Sequence, residues 1–270
     1  MNLGGYIALF ALALIWGLSY PLVSIVLNTI TSTELLAIRF IISAIILLPI
    51  IKYNYLNFAS LELALWIGLS YLTQTISLET INPASSAFIS ALYVLFVPLI
   101  IFLTQSKNIN TLIPGIIALI AITVTVGLPN QWENDVWIAL IMPITFSVYI
   151  IRITYYLNKY SAMGLANGQN IFLGLLSLPF VHTINLEDID WILLCILVII
   201  TILAPILQNI GQETVSKSNA ALILAMEPIF AAIFTFQYTW NLFLTSIIFL
   251  FAIWLNNVIE KNNQTSFEST

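Results

Sequence analysis

Residues 220–230 read A-A-L-I-L-A-M-E-P-I-F, in which nine apolar residues surround one carboxylate, Glu227, and one proline, Pro228. So apolar a segment is typical of a helix in a lipid bilayer, where a charged side chain at mid-depth costs at least about 2.5–3.5 kcal/mol. At a rise of about 1.5 Å per residue, Glu227 lies about 13 Å from residue 218, where the predicted helix begins. A carboxylate at that depth is expected to face the protein interior. This stretch therefore indicates both a membrane fold and a polar interior site.

The composition of the whole chain supports the same fold class. The 270 residues are 60% hydrophobic and 7% charged, with a mean hydropathy of +1.03. A soluble domain needs more polar surface than this, so we predict an all-α integral membrane protein. The net charge of −5, with only seven Lys and Arg residues, excludes a nucleic-acid partner. The single cysteine, Cys195, lies in an apolar run and is expected to be a small buried hydrophobic residue.

Ten segments are long and apolar enough to be predicted as transmembrane helices. A helix needs about 20 such residues to cross a hydrocarbon core of about 30 Å. The first segment is expected to be a retained helix, because no basic region precedes it and it continues past a plausible cleavage point. The predicted spans are residues 5–27, 33–51, 61–79, 84–104, 111–128, 136–157, 162–181, 190–211, 218–239 and 241–259.

The distribution of charge predicts the orientation of these spans. Basic residues favour the cytoplasmic side of a membrane. With the N-terminus inside, the lysines of the joints and tail all become cytoplasmic, namely Lys52, Lys107, Lys159, Lys217 and Lys261. The opposite joints then hold acidic residues, namely Glu34, Glu79, Glu133, Asp135, Glu187, Asp188 and Asp190. We therefore predict a multi-pass protein of the inner (plasma) membrane with both termini in the cytoplasm.

An internal repeat relates the two halves of the chain. The stretch 79–96 aligns without a gap over 213–230, and 39–49 aligns over 169–179. The first alignment matches Glu79 with Glu213, Thr80 with Thr214, Ala87 with Ala221, Ala91 with Ala225, and Phe96 with Phe230. We predict a first repeat over 1–130, a second over 131–260, and a polar, disordered cytoplasmic tail over 261–270. Because each repeat has five spans, the second must be inverted relative to the first, and a substrate site is then expected at the midplane between them.

Four motifs make the chain similar to a known family. They are I-W-G-L-S-Y-P-L at 15–22, E-L-L-A-I-R-F at 34–40, the hairpin at 77–99, and A-L-I-L-A-M-E-P-I-F-A-A-I-F at 221–234. Together they resemble the EamA branch of the drug/metabolite transporter superfamily, which implies a ten-helix secondary transporter of amino acids, nucleotide-sugars, cofactors or other metabolites. Two features depart from the family pattern. No acid follows the fourth or ninth span, and Tyr93-Val94 stands where the second repeat has Glu227-Pro228.

Two intramembrane charges are the first candidate site residues. Glu227 is predicted to bind a substrate amine or carry a coupling proton, or else to be a hydrogen-bonded carboxyl that joins helices. Arg39 could bind a carboxylate or phosphate, pair with Glu227, or extend to the outer interface beside Glu34. Pro228 is expected to bend the helix next to Glu227, and two further kinks are predicted within spans, at Pro21 and Pro98.

Polar and aromatic side chains complete the predicted cavity. Gln74 and Gln208 occupy equivalent places in the two repeats, and Asn209 adjoins Gln208. These amides could bind substrate or join helices. Three aromatic residues could form the cavity wall, although simple helix packing would also explain them. They are Trp16, Tyr20 and Tyr93.

The expected function is transport of small metabolites by alternating access. A substrate with both an amine and a carboxylate would fit Glu227 and Arg39 together, so amino acids are the leading substrates, and export is the expected direction. An importer of a nucleotide-like or cofactor metabolite, such as an S-adenosylmethionine-like compound, is the alternative, and a lipid-handling or scaffold protein without transport is a third. The sequence contains no phosphate-binding glycine loop and no Cys/His metal set, so neither an enzyme, a cofactor nor a metal is expected. A proton or counter-substrate as coupling partner, and a monomer or homodimer, stay open.

Overall fold

The structure is a computed structural model that describes residues 3–105, 108–126, 134–183, 190–235 and 240–268. Within these ranges every regular element is helical. The α-helices are α1 Leu3–Val26, α2 Ser32–Leu47, α3 Phe58–Ser77, α4 Pro83–Ser90, α5 Tyr93–Thr104, α6 Ile113–Val126, α7 Asn134–Ala139, α8 Ile141–Leu157, α9 Ala162–Ser177, α10 Trp191–Gln212, α11 Lys217–Leu224, α12 Glu227–Phe234 and α13 Trp240–Glu268. Short 3₁₀ helices cover Leu48–Ile50, Tyr53–Tyr55, Ile109–Leu112 and Leu178–Thr183.

Six helical segments among the described residues are long and apolar enough to cross a membrane, and the chain is a multi-pass membrane protein. They are Leu3–Val26, Ser32–Ile50, Pro83–Thr104, Val136–Leu157, Trp191–Gln212 and Lys217–Phe234, with Ile109–Val124 as a shorter apolar helix. Large apolar side chains such as Ile192 and Leu250 are exposed on the outside of the bundle, as expected where the solvent is lipid. Cys195 is exposed as well, so the prediction that it is buried was wrong, because an apolar run does not distinguish a lipid-facing position from a core position.

Polar residues in the joints begin the helices. Thr31 and Glu34 form a capping box at the start of α2, in which each side chain bonds the backbone N–H of the other. Side-chain oxygens of Asn57, Asn82 and Ser216 accept N–H bonds at the starts of α3, α4 and α11. Each cap contributes about 1 kcal/mol, which is why these short polar joints define the helix boundaries.

Two predicted spans are each divided into two helices. The first is divided into α4 and α5 at Ala91-Leu92, and the second into α11 and α12 at Ala225-Met226. Pro228 is the second residue of α12. The backbone N–H groups of the first helical turn have no acceptor within the helix, so a proline there costs no helical hydrogen bond. The bend predicted beside Glu227 is therefore a helix break.

The other predicted kink sites behave differently. Pro21 lies inside α1 and Pro98 inside α5, and both helices continue past the proline. The end of the chain also differs from the prediction, because α13 continues to Glu268, well into the tail that was expected to be disordered. Adding residues to an existing helix is inexpensive even when the residues are polar.

The helices pack as neighbours around a polar centre. α1 lies against α10 and α12, α2 against α9, α3 against α8, and α6 against α13. Tyr6 of α1 bonds Asn257 of α13, and Glu62 of α3 bonds Arg152 of α8. Both contacts lie at the end of the bundle where α1 begins, which we call the Leu3 end. The opposite end, where α1 finishes, is the Val26 end. The residues described below lie where α1, α3, α5, α8 and α12 meet.

Candidate functional site

The centre of the site is the carboxyl group of Glu227, which is 2% exposed. Glu227 is the first residue of α12, so the helix break points its side chain into the bundle rather than along a helical surface. Two phenols hold it. Tyr93 donates to Oε1 at 2.9 Å, and Tyr20 donates to Oε2 at 3.3 Å. These three residues, all predicted from the sequence, come from α12, α5 and α1.

A glycine allows the close approach of α1 that this geometry requires. A Cβ atom on Gly17 would lie 2.4 Å from the Cβ of Phe230 and 3.0 Å from the carbonyl oxygen of Glu227. Any larger residue would separate α1 from α12. Gly17 therefore positions Tyr20, one turn further along α1, against the carboxyl group of Glu227.

Polar groups of α3 and α4 extend the network. The Nε2 of Gln74 donates to the Oη of Tyr20 at 2.5 Å and lies 3.5 Å from the Oγ of Ser90. Tyr20 can thus accept from Gln74 while it donates to Glu227. The Nε1 of Trp16 donates to the Oη of Tyr71 at 3.2 Å. Gln74 and Trp16, both predicted site residues, therefore lie around the carboxyl group.

Phe146 of α8 supplies an aromatic wall to this network. Its ring centroid lies 5.4 Å from Trp16, 4.9 Å from Tyr93 and 5.6 Å from Tyr149. The spacing is that of ordinary aromatic packing. Trp16 and Tyr93 each pack a ring on Phe146 while their polar atoms bond Tyr71 and Glu227.

A small cavity lies between these groups. It is lined by Trp16, Ser19, Ile67, Ser70, Tyr71, Gln74, Met142, Phe146 and Glu227. It has room for about one water molecule, which is too small for a metabolite. The site is therefore closed in this structure, and a substrate could enter only after the helices around it move apart.

Arg39 is buried at the edge of the same region. It is 2% exposed, its Nε donates to the Oγ1 of Thr201 at 3.0 Å, and its guanidinium lies 5.7 Å from the centre of the Tyr71 ring. Among the described residues it forms no ion pair with a carboxylate. Neither the predicted pairing with Glu227 nor the predicted extension toward Glu34 occurs, because Arg39 is on the face of α2 that packs on α10. Glu34 instead bonds Thr31.

The structure separates the remaining predicted residues from the carboxyl group. The Nε2 of Gln208 donates to Gln212 at 3.1 Å, and Gln212 bonds the carbonyl oxygen of Ile150 at 2.9 Å. Asn209 is fully buried beside it. Gln208 and Asn209 therefore lie near the Leu3 end of α10, and equivalence to Gln74 in the sequence does not bring Gln208 to the same network.

Sequence reasoning missed several residues of the site. Tyr71 could have been found, because it lies three residues before Gln74 and shares its face of α3. Phe146 could not have been predicted as a site residue, because a phenylalanine within an apolar run does not stand out from its neighbours.

The ion pair at the Leu3 end was also missed. Arg152 donates to both oxygens of Glu62 at 2.6 and 2.8 Å, and Tyr156 bonds the same carboxyl group. The pair joins α3 to α8 across 90 residues of sequence. At that separation, spacing along the chain gives no indication of a contact.

A larger groove lies outside the polar network. Its volume is about 690 Å³, and it is formed by α2, α3 and α9. Most of its lining is apolar, with Glu62 and Thr33 among the few polar residues: Thr33, Leu36, Ala37, Phe40, Glu62, Ala64, Leu65, Trp66, Gly68, Leu69, Leu72, Leu173, Leu176, Ser177 and Phe180. Such a lining suits hydrocarbon, whereas the convergence of polar groups that a metabolite needs occurs around Glu227.

Known proteins are similar to this chain in sequence and in fold. Residues 135–258 match the model of the EamA-like transporter family. The chain is a membrane transporter whose second half is similar to EamA-like transporters. The resemblance predicted from the motifs is thereby confirmed. A relative from Archaeoglobus fulgidus, described as an uncharacterized transporter, is 27% identical to this transporter over 237 residues, covering 85% of this chain and 76% of its own length. A solved crystal structure that is 12% identical superposes with a TM-score of 0.77 over 97% of this chain and 99% of its own, which shows a shared fold.

Proposed function

We propose that the protein is a secondary transporter of small zwitterionic metabolites, with amino acids as the leading substrate class. One observation carries this proposal. A buried carboxyl group, Glu227, and a buried guanidinium, Arg39, lie near the same residue, Tyr71, in the bundle interior. Neither is in an ion pair within the described part of the chain. The amine and carboxylate of one substrate would compensate both groups, which would otherwise be costly inside a bilayer.

We infer that the site lies on an axis between two inverted five-helix repeats, 1–130 and 131–260. Tyr93 and Glu227 are 134 residues apart, and they are bonded to each other. In two repeats related by a twofold axis, a residue contacts its own counterpart only on that axis. The divided helices support the same relation. The starts of α4 and α11, at 83 and 217, have the same separation in sequence as the starts of α5 and α12, at 93 and 227.

A pair of helix caps also supports the inversion. An oxygen of Glu79 accepts from the backbone N–H of Ser32 at 2.9 Å, and an oxygen of Glu213 accepts from that of Ala162 at 3.3 Å. Ser32 and Ala162 are the first residues of α2 and α9. The first contact is at the Val26 end and the second at the Leu3 end. Equivalent contacts at opposite ends are what inverted repeats require.

Alternating access would then require the ion pair at the Leu3 end to break. Glu62 and Arg152 join α3 of the first repeat to α8 of the second. Their separation would let the halves part at that end, while the site stays closed at the other. The substrate would cross as the repeats rock around Glu227, coupled to a proton or a counter-substrate.

The Leu3 end is proposed to face the cytoplasm, in the inner (plasma) membrane. The joints at this end contain Lys52, Lys159 and Lys217, and Lys261 lies near the end of α13, in agreement with the positive-inside rule. Export from this side is the proposed direction. Four of the charged residues used in the orientation prediction lie outside the described residues: Lys107, Glu133, Glu187 and Asp188.

Counterflow in proteoliposomes tests the proposal. Purified protein is reconstituted beside two variants, Glu227→Gln and Glu34→Gln. The second is the matched control, because glutamine preserves the capping box at the start of α2. Uptake of labelled amino acids by wild type and Glu34→Gln, and its loss in Glu227→Gln, is the expected result. Uptake of nucleotides or S-adenosylmethionine instead would favour the cofactor importer. No counterflow by folded protein would overturn the proposal.

Lipid handling is a second candidate function, favoured by the apolar groove of α2, α3 and α9. Substituting Leu69 or Leu173 in its lining by serine would then reduce transfer of a fluorescent phospholipid between leaflets. Unchanged lipid transfer in these variants, with amino-acid counterflow intact, would exclude this function for the groove.

A further inference from the structure

The groove formed by α2, α3 and α9 is open toward the outside of the bundle. Its rim is exposed, since Leu65, Leu69 and Leu176 have exposed fractions of 51%, 40% and 42%. Its floor is buried, with Phe40 4% and Leu173 2% exposed. The medium around a membrane helix at this depth is hydrocarbon, so a lipid chain rather than water fills an apolar groove of this kind.

Along α3 the groove is as long as one leaflet of the bilayer is deep. Leu72 lies ten residues after Glu62, and both residues line the groove. At about 1.5 Å per residue they are about 15 Å apart, which is half of a hydrocarbon core of about 30 Å. The acyl chains of one leaflet occupy that half. The groove therefore suits one acyl chain of a single phospholipid.

Two cations lie at the Leu3 end of the groove. Glu62 accepts bonds from Nε and Nη2 of Arg152. The Arg152 side chain is 34% exposed, and its Nη1 bonds no acceptor among the described residues. Its guanidinium lies 4.8 Å from the centre of the Tyr155 ring, and the Nζ of Lys159 lies 4.9 Å from the same ring. Arg152 and Lys159 thus form an exposed pair of cations beside a residue of the groove.

One of these cations lacks an acidic partner. Glu62 pairs with Arg152, whereas Lys159 bonds the hydroxyl of Tyr155 at 3.1 Å and is in no ion pair within the described ranges. Glu213, another acid of this end, bonds the backbone N–H of Ala162 instead. The anion that a bilayer supplies at its surface is the phosphate of an anionic lipid. A phosphate can accept from a guanidinium and an ammonium together.

We propose that the groove and the two cations form one binding site for an anionic phospholipid. One acyl chain lies in the groove, and the phosphate lies against Nη1 of Arg152 and Nζ of Lys159. The headgroup stays at the Leu3 end, because the apolar lining beyond Glu62 opposes the passage of a charge. The lipid is therefore held in its own leaflet, unlike the transferred lipid of the second candidate function. The inference rests on the membrane fold and does not depend on the transported substrate.

Thermal unfolding of the purified chain in detergent tests the site without measuring transport. The probes are dioleoyl phosphatidylglycerol and dioleoyl phosphatidylcholine, which have the same acyl chains and differ in the net charge of the headgroup. At about ten times its Kd, phosphatidylglycerol is expected to raise the unfolding midpoint by roughly 3–6 °C, and phosphatidylcholine at the same concentration by less. Glycerophosphoglycerol, which is the anionic headgroup without acyl chains, is expected to cause no shift.

Lys159→Gln tests the headgroup end of the site. It is expected to reduce the excess shift of phosphatidylglycerol over phosphatidylcholine, because it removes one of the two cations. Lys261→Gln is the matched control, since Lys261 is exposed at the same end of the bundle on α13, a helix that contributes no residue to the groove. This control is expected to preserve the excess.

Leu69→Trp tests the groove. The larger side chain would occupy space that the acyl chain needs, at a position exposed enough to accept it, so the shift by both lipids is expected to disappear. Leu65→Trp is the second variant if Leu69→Trp does not fold. Leu250→Trp is the matched control, because Leu250 is exposed on α13, away from the groove. It is expected to preserve both shifts.

Four outcomes would overturn the inference. Equal shifts by the two lipids, or an excess that Lys159→Gln does not reduce, would remove the headgroup contact. A full shift by glycerophosphoglycerol would identify an anion site without the groove. Shifts that persist in the tryptophan variants of the groove would place the lipid elsewhere. A second copy of this chain as the occupant would give a dimer that Leu69→Trp dissociates in size-exclusion chromatography, with no shift by either lipid. Counterflow decides the proposed function separately.

Discussion

Replacing Tyr93 by phenylalanine removes one oxygen atom from the centre of the transporter. That oxygen donates to Oε1 of Glu227 at 2.9 Å, and both side chains are almost fully buried. Leaving a buried acceptor without its donor costs about 1–3 kcal/mol. For a chain of this size each kcal/mol corresponds to about 2–4 °C, so Tyr93→Phe should lower the unfolding midpoint by about 5 °C. Tryptophan fluorescence during heating in detergent measures the midpoint.

A second background isolates the hydrogen bond from the packing of the ring. In Glu227→Met the acceptor is already replaced by an apolar group of similar length, and removing both polar partners together is nearly neutral. Tyr93→Phe should therefore raise the midpoint in that background, because it removes a buried hydroxyl that Glu227→Met has left without its acceptor. Tyr53→Phe, at a residue that is 91% exposed, controls for loss of a tyrosine oxygen elsewhere. Equal decreases in the two backgrounds would refute the bond as the cause.

Three further predictions concern the packing, the ion pair and the caps. Gly17→Val should strongly reduce the yield of monodisperse protein in size-exclusion chromatography, since even its Cβ would collide with α12. Arg152→Gln removes the ion pair of the Leu3 end. A cysteine introduced at Ser70, which lines the closed cavity, should then react faster with a water-soluble thiol reagent. An unchanged rate would contradict the role of the ion pair in closing the site. Glu79→Ala should lower the unfolding midpoint more than Glu213→Ala, because Glu79 accepts two bonds from Ser32 and Glu213 a longer one from Ala162.

The helices and the central acid could be predicted because their signals are local. A run of about 20 apolar residues indicates a span whatever its neighbours are, and a single carboxylate in such a run must avoid lipid. Glu227 and its surroundings in α12 therefore follow from one short stretch of sequence. The polar caps at Thr31, Asn57 and Asn82 mark helix starts for the same reason, since each acts on the next few residues of its own chain.

The partners of those residues could not be predicted, since they depend on how each helix is rotated. Arg39 sits in an apolar span, and its sequence allows three partners, yet the packing of α2 on α10 directs it to Thr201. The break at Ala225-Met226 lies just before Pro228, but the break at Ala91-Leu92 has no proline beside it, and α1 and α5 continue through Pro21 and Pro98. Proline alone is therefore a poor guide to where a buried membrane helix divides, because tertiary contacts can satisfy or replace the lost bond.

The proposed repeat gives a physical reason for the departure at Tyr93. If both repeats carried an acid at this position, two carboxyl groups would meet on the axis at hydrogen-bonding distance, inside a bilayer. Like charges so close cannot both ionise without a large cost. With tyrosine in one repeat, the counterpart becomes a donor, and the 2.9 Å bond joins the two halves at the point about which they would rock.

Two residues that meet on the twofold axis therefore bond each other best when one is a donor and the other an acceptor. The proposed axis thus explains why Tyr93, and not a second acid, lies opposite Glu227. The same reasoning predicts that Tyr93→Glu disrupts folding, measured as loss of monodisperse protein, because it places a second carboxyl group against Glu227. Glu227→Gln should restore folding in the double variant, since an amide can donate to the new carboxylate. Failure of that rescue would contradict the axial contact.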